Sequence, residues 1–193
     1  MKDNLIIIGS GGHALSCIEI IEHNDDYKII GLIDNSKEIG SFIFGYEVIG
    51  NDNDLNQIYS ESKNAFIGIG QIKSHETRLN LYNKLKKIGY KLPTIIAKNS
   101  YVSKRSEVGE GTIVMNDVFI NANSKIGNNC IINNKTLIEH DCHIFNNCHI
   151  STNVTLNGNV IINKNCFVGS GSVFKNGYEL KPNQIIPFGS RIK

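Results

Sequence analysis

From residue 102 to residue 173 the chain keeps a six-residue hydrophobic period with no insertion. Val102, Val108, Val114, Ile120, Ile126, Ile132, Ile138, Ile144, Ile150, Leu156, Ile162 and Val168 fall in register, and a small residue follows each of them by four positions: Ser106, Thr112, Val118, Ser124, Cys130, Thr136, Cys142, Cys148, Val154, Val160, Cys166 and Ser172. A period of six fits neither a lone helix at 3.6 nor an amphipathic strand at two. It fits a solenoid in which each hexad makes one short strand and one corner, and three hexads close a triangular coil of 18 residues with both columns facing inward. The residues just after the aliphatic column include Gly109, Asn121, Gly127, Asn133, Asn157, Asn163 and Gly169. These types tolerate the left-handed backbone of tight corners, so this column is expected to turn the chain.

The repeat resembles that of the hexapeptide-repeat acyltransferases, whose fold is a left-handed parallel β-helix. The handedness is an implication of the resemblance, because crossover physics alone favours a right-handed connection. After Val168 the pattern loosens. Phe174, Leu180 and Ile186 stay on the grid, but Lys175 to Lys181 lacks the small column and Pro182 and Pro187 intervene, so an irregular last coil or tail is expected.

Ahead of the solenoid the patterning is of another kind. Leu5-Ile6-Ile7-Ile8 reads as a buried parallel strand running into Gly9-Ser10-Gly11-Gly12-His13-Ala14 and then into helical spacing through Ile18, Ile21 and Glu22. A second strand, Lys28 to Ile33, ends on Asp34. Together these complete a dinucleotide-type fingerprint in which glycines admit a phosphate to a helix start and an acid meets ribose. A short strand or turn at Tyr46 to Gly50 precedes a helix from Asn51 to Tyr59. A strand from Phe66 ends in Gly68 and Gly70 at the edge where open α/β sheets take ligands. Ser74 caps a helix carrying Arg78, Leu79, Tyr82, Leu85 and Ile88, with Lys84, Lys86 and Lys87 on a solvated face, and Leu92 to Ile96 reads as a last strand. The expected architecture is an α/β Rossmann-like domain at 1–97 followed by a left-handed β-helix at 98–193. The first domain has room for one mononucleotide-binding half but hardly for two.

Composition removes several function classes. Lysine plus arginine number 20 against 18 acids, with no basic run, so nucleic acid is not an expected partner. The longest early apolar run, Leu5 to Ile8, is too short for a signal core or a membrane span, and a cytoplasmic protein is the simplest expectation. Four of the five cysteines sit in the small inward column and read as packed, reduced thiols. Cys142-His143 and Cys148-His149 suggest zinc, but strand alternation sends each cysteine inward and its histidine outward, so they cannot converge on one ion and no metal is expected.

One hexad is polar in an unusual way: Ile138-Glu139-His140-Asp141-Cys142-His143. With Ile138 and Cys142 inward, His140 and Asp141 occupy a corner, and a carboxylate beside an imidazole orients the ring and favours its protonated form. This segment and Leu5-Ile6-Ile7-Ile8-Gly9-Ser10-Gly11-Gly12-His13 together resemble the bacterial sugar acyltransferases that include sialic acid O-acetyltransferases and nucleotide 4-aminosugar N-acetyltransferases. Leu137-Ile138-Glu139-His140 and Ile150-Ser151-Thr152-Asn153-Val154-Thr155-Leu156-Asn157-Gly158 resemble further stretches of that family.

The resemblance implies His140 as general base, Asp141 as its supporting acid, and Asn133 and His149 as helpers. His149 lies on an outward face and would need a neighbouring subunit or the acyl carrier to bridge to it. The resemblance further implies acetyl-CoA in the groove between prisms of a homotrimer near His149, Gly158 and Gly169, and a sugar nucleotide against Ser10, Gly11, Gly12, His13, Asp34, Gly68 and Gly70. The implied reaction is N-acetylation of a nucleotide-linked 4-amino-deoxysugar for surface polysaccharide or glycan biosynthesis, with sialic acid O-acetylation as the alternative. Outside that family, a nicotinamide-dependent oxidoreductase built on the glycine turn and a non-catalytic scaffold stay open.

Overall fold

The computed structural model describes residues 2–193 in two compact units, 2–70 with 77–93 and 71–76 with 94–193. The first unit is β1 (Asp3–Ile8), α1 (Gly12–Asn24), β2 (Tyr27–Ile33), β3 (Phe42–Ile43), β4 (Tyr46–Gly50), α2 (Leu55–Ile58), β5 (Asn64–Ile67) and α3 (Glu76–Ile88). Its sheet runs β3-β4-β2-β1-β5, parallel except for the antiparallel β3–β4 pair, a hairpin edge that the hydrophobic pattern did not predict. The chain leaves β1 toward β2 and β4 and later returns to its other side as β5. The carboxyl ends of β1 and β5 therefore form a topological switch point, the place where such sheets open a crevice for ligands. Leu5 to Ile8, Leu32, Ile33 and Phe66 are buried here, as continuous apolar strands covered on both faces require.

The second unit is a left-handed β-helix of two-residue strands, from Ile95–Ile96 to Arg191–Ile192. Each strand pairs in parallel with the strand 18 residues on, building three faces of six, five and six strands. The grid begins earlier than the sequence reading set it: Ile95–Ile96 pairs with Ile113–Val114 and is the first solenoid strand rather than the last strand of the α/β unit. It also ends later. Phe174 and Leu180 are buried and Phe174–Ile192 pair in register, so the expected irregular tail is a regular coil. Pro182 and Pro187 interrupt nothing. In earlier coils the backbone N–H at their positions bonds toward the following coil, as Asn128 N does to Asn146 Oδ1 and Gly169 N to Ile186 O.

The inward columns form one core from Val114 to Leu180. The small column is also a hydrogen-bond column. Ser106, Thr112 and Ser124 donate their hydroxyls to Asn121, Gly127 and Glu139 carbonyls at 2.7 to 2.8 Å, and the thiols of Cys130, Cys142, Cys148 and Cys166 do the same at 3.1 to 3.2 Å. All five cysteines are buried, and none is joined in a disulfide.

The corners correct one expectation. Left-handed φ falls three positions after the aliphatic residue, at Asp117, Asn123, Asn129, Lys135, Asp141, Asn147, Asn153, Asn159 and Asn165, not one position after. The column just after the aliphatic residue holds glycine for another reason. A Cβ on Gly127 would lie 2.7 Å from Asn146 N, and one on Gly169 would lie 2.4 Å from Phe188 N, so these glycines permit coil stacking. Among the described residues no helix is long and apolar enough to cross a membrane.

Candidate active site

Two sites emerge, one in each unit. In the α/β unit a cleft of about 260 Å³ is lined by Gly9 to His13, Asp34 and Gly68 to Gly70 at the switch point. Its glycines divide by role. Gly9 has φ +99° and a Cβ there would meet Ile69 Cγ1 at 2.7 Å; Gly68 is pressed against Ala14, whose Cα would be 3.0 Å from an added Cβ. Those two the fold requires. Gly11 has an ordinary extended backbone, and neither it nor Gly12 has any atom within 4 Å of an added Cβ. Nothing in the packing demands glycine at 11 or 12, and their lack of side chains leaves the start of α1 open to close approach. Gly11 caps that helix without a side chain and no acid stands in its first turn, so the end is open to an anion.

Asp34 closes the cleft. Its Oδ2 accepts from the Ser10 hydroxyl at 2.6 Å, and its Oδ1 accepts from Ser36 N at 2.8 Å and Ser36 Oγ at 2.7 Å. Burial pushes this carboxyl up, but the hydrogen bonds from Ser10 and Ser36 outweigh it and hold it below its ordinary value. An ionised, fixed carboxylate suits a ribose hydroxyl and repels phosphate, which favours one orientation of a nucleotide.

In the solenoid, His140 and Asp141 stand at a corner as the hexad predicts, Asp141 with φ +62°. His140 Nδ1 donates to Asp141 Oδ2 at 2.7 Å, and its side chain is 57% exposed. Two further residues of this corner escaped the sequence reading or were given another role by it. Asn123 Nδ2 donates to Asp141 Oδ1 at 2.6 Å. Gly158 lies directly under the imidazole: a Cβ there would be 2.7 Å from His140 Cε1 and 2.8 Å from Nε2. The bond from Asn123, then that from His140, holds the Asp141 carboxyl below its ordinary value. Ionised Asp141 keeps the proton on Nδ1 and leaves the Nε2 lone pair outward, the arrangement of a general base.

The helpers are elsewhere in the same chain. Asn133 follows the strand Ile131–Ile132 and His149 belongs to His149–Ile150 on that same face, whereas His140 lies between the strands of the other two faces. His149 points outward yet is only 6% exposed, since segment 71–76 covers it. Its Nδ1 donates to the Gln71 carbonyl at 2.5 Å, Gln71 Nε2 donates to Asn147 O at 2.8 Å, and Phe167 packs edge-on against the ring. His143 stacks on Phe145 outside while Cys142 and Cys148 are buried inside.

Comparison with known proteins gives these sites a context. Residues 4–85 match the family described as the PglD N-terminal domain, and residues 141–176 match the bacterial transferase hexapeptide family of six repeats. PerB from Caulobacter crescentus, solved with CoA and GDP-perosamine, is 29% identical over 96% of this chain and 86% of its own, with a TM-score of 0.89. The acetyltransferase domain of PglB from Neisseria gonorrhoeae, solved with acetyl coenzyme A, is 26% identical over 100% and 92%, with a TM-score of 0.92. No curated protein matches significantly. Both family signatures stand in this order along one chain, which is thus similar to the PglD-like hexapeptide-repeat acetyltransferases in both of its units and in their order.

Proposed function

We propose that this enzyme transfers an acetyl group from acetyl-CoA to the amino group of a nucleotide-linked 4-amino-deoxysugar. The observation that carries the reading is the corner in which Asn123 and Asp141 fix the Nδ1 proton of an exposed His140. Its Nε2 takes a proton from the amine as the nitrogen attacks the thioester carbon; the carbon–nitrogen bond forms, the carbon–sulfur bond breaks, and the thiolate leaves as CoA. Positioned general-base help of this kind contributes roughly 10²–10⁴-fold. Backbone N–H groups beside the corner would stabilise the oxyanion. The cleft at Gly11, Gly12 and Asp34 takes the nucleotide, in keeping with PerB, which was solved with GDP-perosamine, and PglB, solved with acetyl coenzyme A.

We further infer a homotrimer. The candidate set is split over different corners of one prism, with His140, Asp141 and Gly158 apart from Asn133 while His149 is covered by its own chain, so a second copy would bring an Asn133 corner to a His140 corner. One face also carries apolar side chains outward, with Tyr101 54% and Phe119 41% exposed and stacked at 4.7 Å, and Val173 exposed further along the same face. Such a face suits burial against a neighbour.

The test is turnover of acetyl-CoA, read as free thiol, against a panel of nucleotide 4-aminosugars and sialic acids. Turnover restricted to the aminosugars, lowered at least about 100-fold by His140→Ala with assembly and melting temperature unchanged, supports the reading. Turnover of sialic acid alone, or a His140→Ala enzyme of wild-type kcat, overturns it.

A further inference from the structure

Among the described residues the largest fully buried side chain is charged. Arg78, in the first turn of α3, is 1% exposed, and its Nη1 donates to the carbonyl oxygens of Ile67 at 2.6 Å and Ile69 at 2.9 Å. Taking a guanidinium out of water is costly unless the structure uses its donors, and Arg78 uses them on the segment that leaves β5. That segment, Gly68 to Gly70, is the wall of the glycine cleft opposite the phosphate turn. It stands against the turn with almost no slack: the Ile69 side chain fills the space where a Gly9 Cβ would be, and Gly70 lies 3.7 Å, measured from an ideal Cβ, from His13 Cβ. Gly68 N donates to Ile8 O at 2.8 Å on one side while Arg78 holds the carbonyls on the other. The Arg78 charge also reaches the Cys17 thiol of α1, which burial pushes up to about 12 and which Arg78 pulls the other way.

We propose that Arg78 is a positioning residue for nucleotide binding: it draws the Ile67 and Ile69 carbonyls inward onto a buried cation and so holds the Gly68–Gly70 wall at the spacing a nucleotide diphosphate needs. Carbonyl oxygens released toward the cleft would repel phosphate, and a loosened wall would widen it. The nucleotide in this statement rests on the function proposed above; the wall does not.

The experiment uses the full chain with Arg78→Met and Arg78→Lys. GDP and UDP binding is measured by calorimetry, steady-state kinetics with both substrates, and amide hydrogen exchange at Ile69 and Gly70. Arg78→Met is expected to weaken diphosphate binding and raise the sugar-nucleotide KM at least tenfold, leaving kcat and the acetyl-CoA KM within about threefold. Arg78→Lys, which keeps the charge but not the planar fork, is expected to recover part of that loss. Exchange at Ile69 and Gly70 is expected to quicken in both, more in Arg78→Met. Unchanged exchange and unchanged affinity in the soluble variants overturn the proposal, as does a fall in kcat with both KM values intact, the mark of a merely structural residue. If Arg78→Met does not fold, Arg78→Lys decides alone by the same criteria. If the wild type binds neither diphosphate yet exchange quickens in the variants, the ligand reading fails and the wall stands.

Discussion

The corner makes a severe demand of Gly158, and replacing it with alanine tests the site by a single methyl group. That methyl would lie 2.7 Å from His140 Cε1, 2.8 Å from Nε2 and 3.3 Å from Asn176 Nδ2, with no backbone atom among its nearest neighbours. Favourable carbon contacts begin near 3.5 Å, so the imidazole must retreat by about 0.7–0.8 Å or change rotamer. Because the ring is exposed it can do so without opening a cavity, and removing glycine's backbone freedom stabilises by about 0.4–1 kcal/mol where the conformation is allowed. Stability is therefore expected to stay level or rise. The 2.7 Å bond to Asp141 and the aim of Nε2 cannot both survive the move. A misplacement near 1 Å costs about 100-fold, or about 2.7 kcal/mol of transition-state stabilisation. The assay is kcat at saturating concentrations of both substrates beside the melting temperature. In a His140→Ala background the same substitution is expected to cost almost nothing more, since the two act as one unit. A Gly158→Ala enzyme within twofold of wild-type kcat would refute the argument, and an additive loss on top of His140→Ala would place Gly158 in some other role.

Other expectations follow from the same geometry. Asn123→Ala removes the strongest cause of the lowered Asp141 carboxyl, so that group should titrate nearer its ordinary value of about 3.9; any stability its ionised form contributes is present above that value and lost as pH falls through the lowered one, and an Asp141 carboxyl resonance that titrates unchanged in the variant would contradict this. Gly11→Val should fold normally, having open space and an extended backbone, while raising the sugar-nucleotide KM at least about tenfold and sparing that of acetyl-CoA; equal losses for both would make the turn structural. Cys142→Ser should keep the melting temperature close to wild type, because serine makes this same bond at 106, 124 and 172, whereas Cys142→Ala strands the Asn157 carbonyl at a cost of roughly 1–3 kcal/mol; a serine variant as unstable as the alanine one would show that thiol packing rather than the bond matters.

What could be read along the chain follows from which contacts its period expresses. Inward burial repeats every six residues, so the aliphatic column and the packing of Cys130, Cys142, Cys148 and Cys166 were legible, and so was the exposed corner of His140 and Asp141. The glycines after the aliphatic column were misread as left-handed corners, since composition alone cannot separate a residue that turns the chain from one that lets the next coil approach. Gly127 does the second and Asn129 the first. The remaining corner residues were in reach of a rule that follows from the coil itself: the neighbour of position i is i±18. Subtracting 18 from Asp141 gives Asn123, its strongest partner, and adding 18 to His140 gives Gly158, the residue beneath its ring. No such rule reaches Arg78 or Gln71. Arg78 falls on the spacing of an ordinary amphipathic helix, and only the return of α3 across the end of β5 turns it into a clamp on Ile67 and Ile69. Gln71 covers His149 from 78 positions away in a segment with no repeat. The parts of the site that escaped the sequence are therefore those where a non-periodic segment meets another element, and the contacts made there hold a cleft wall and cover an outward histidine.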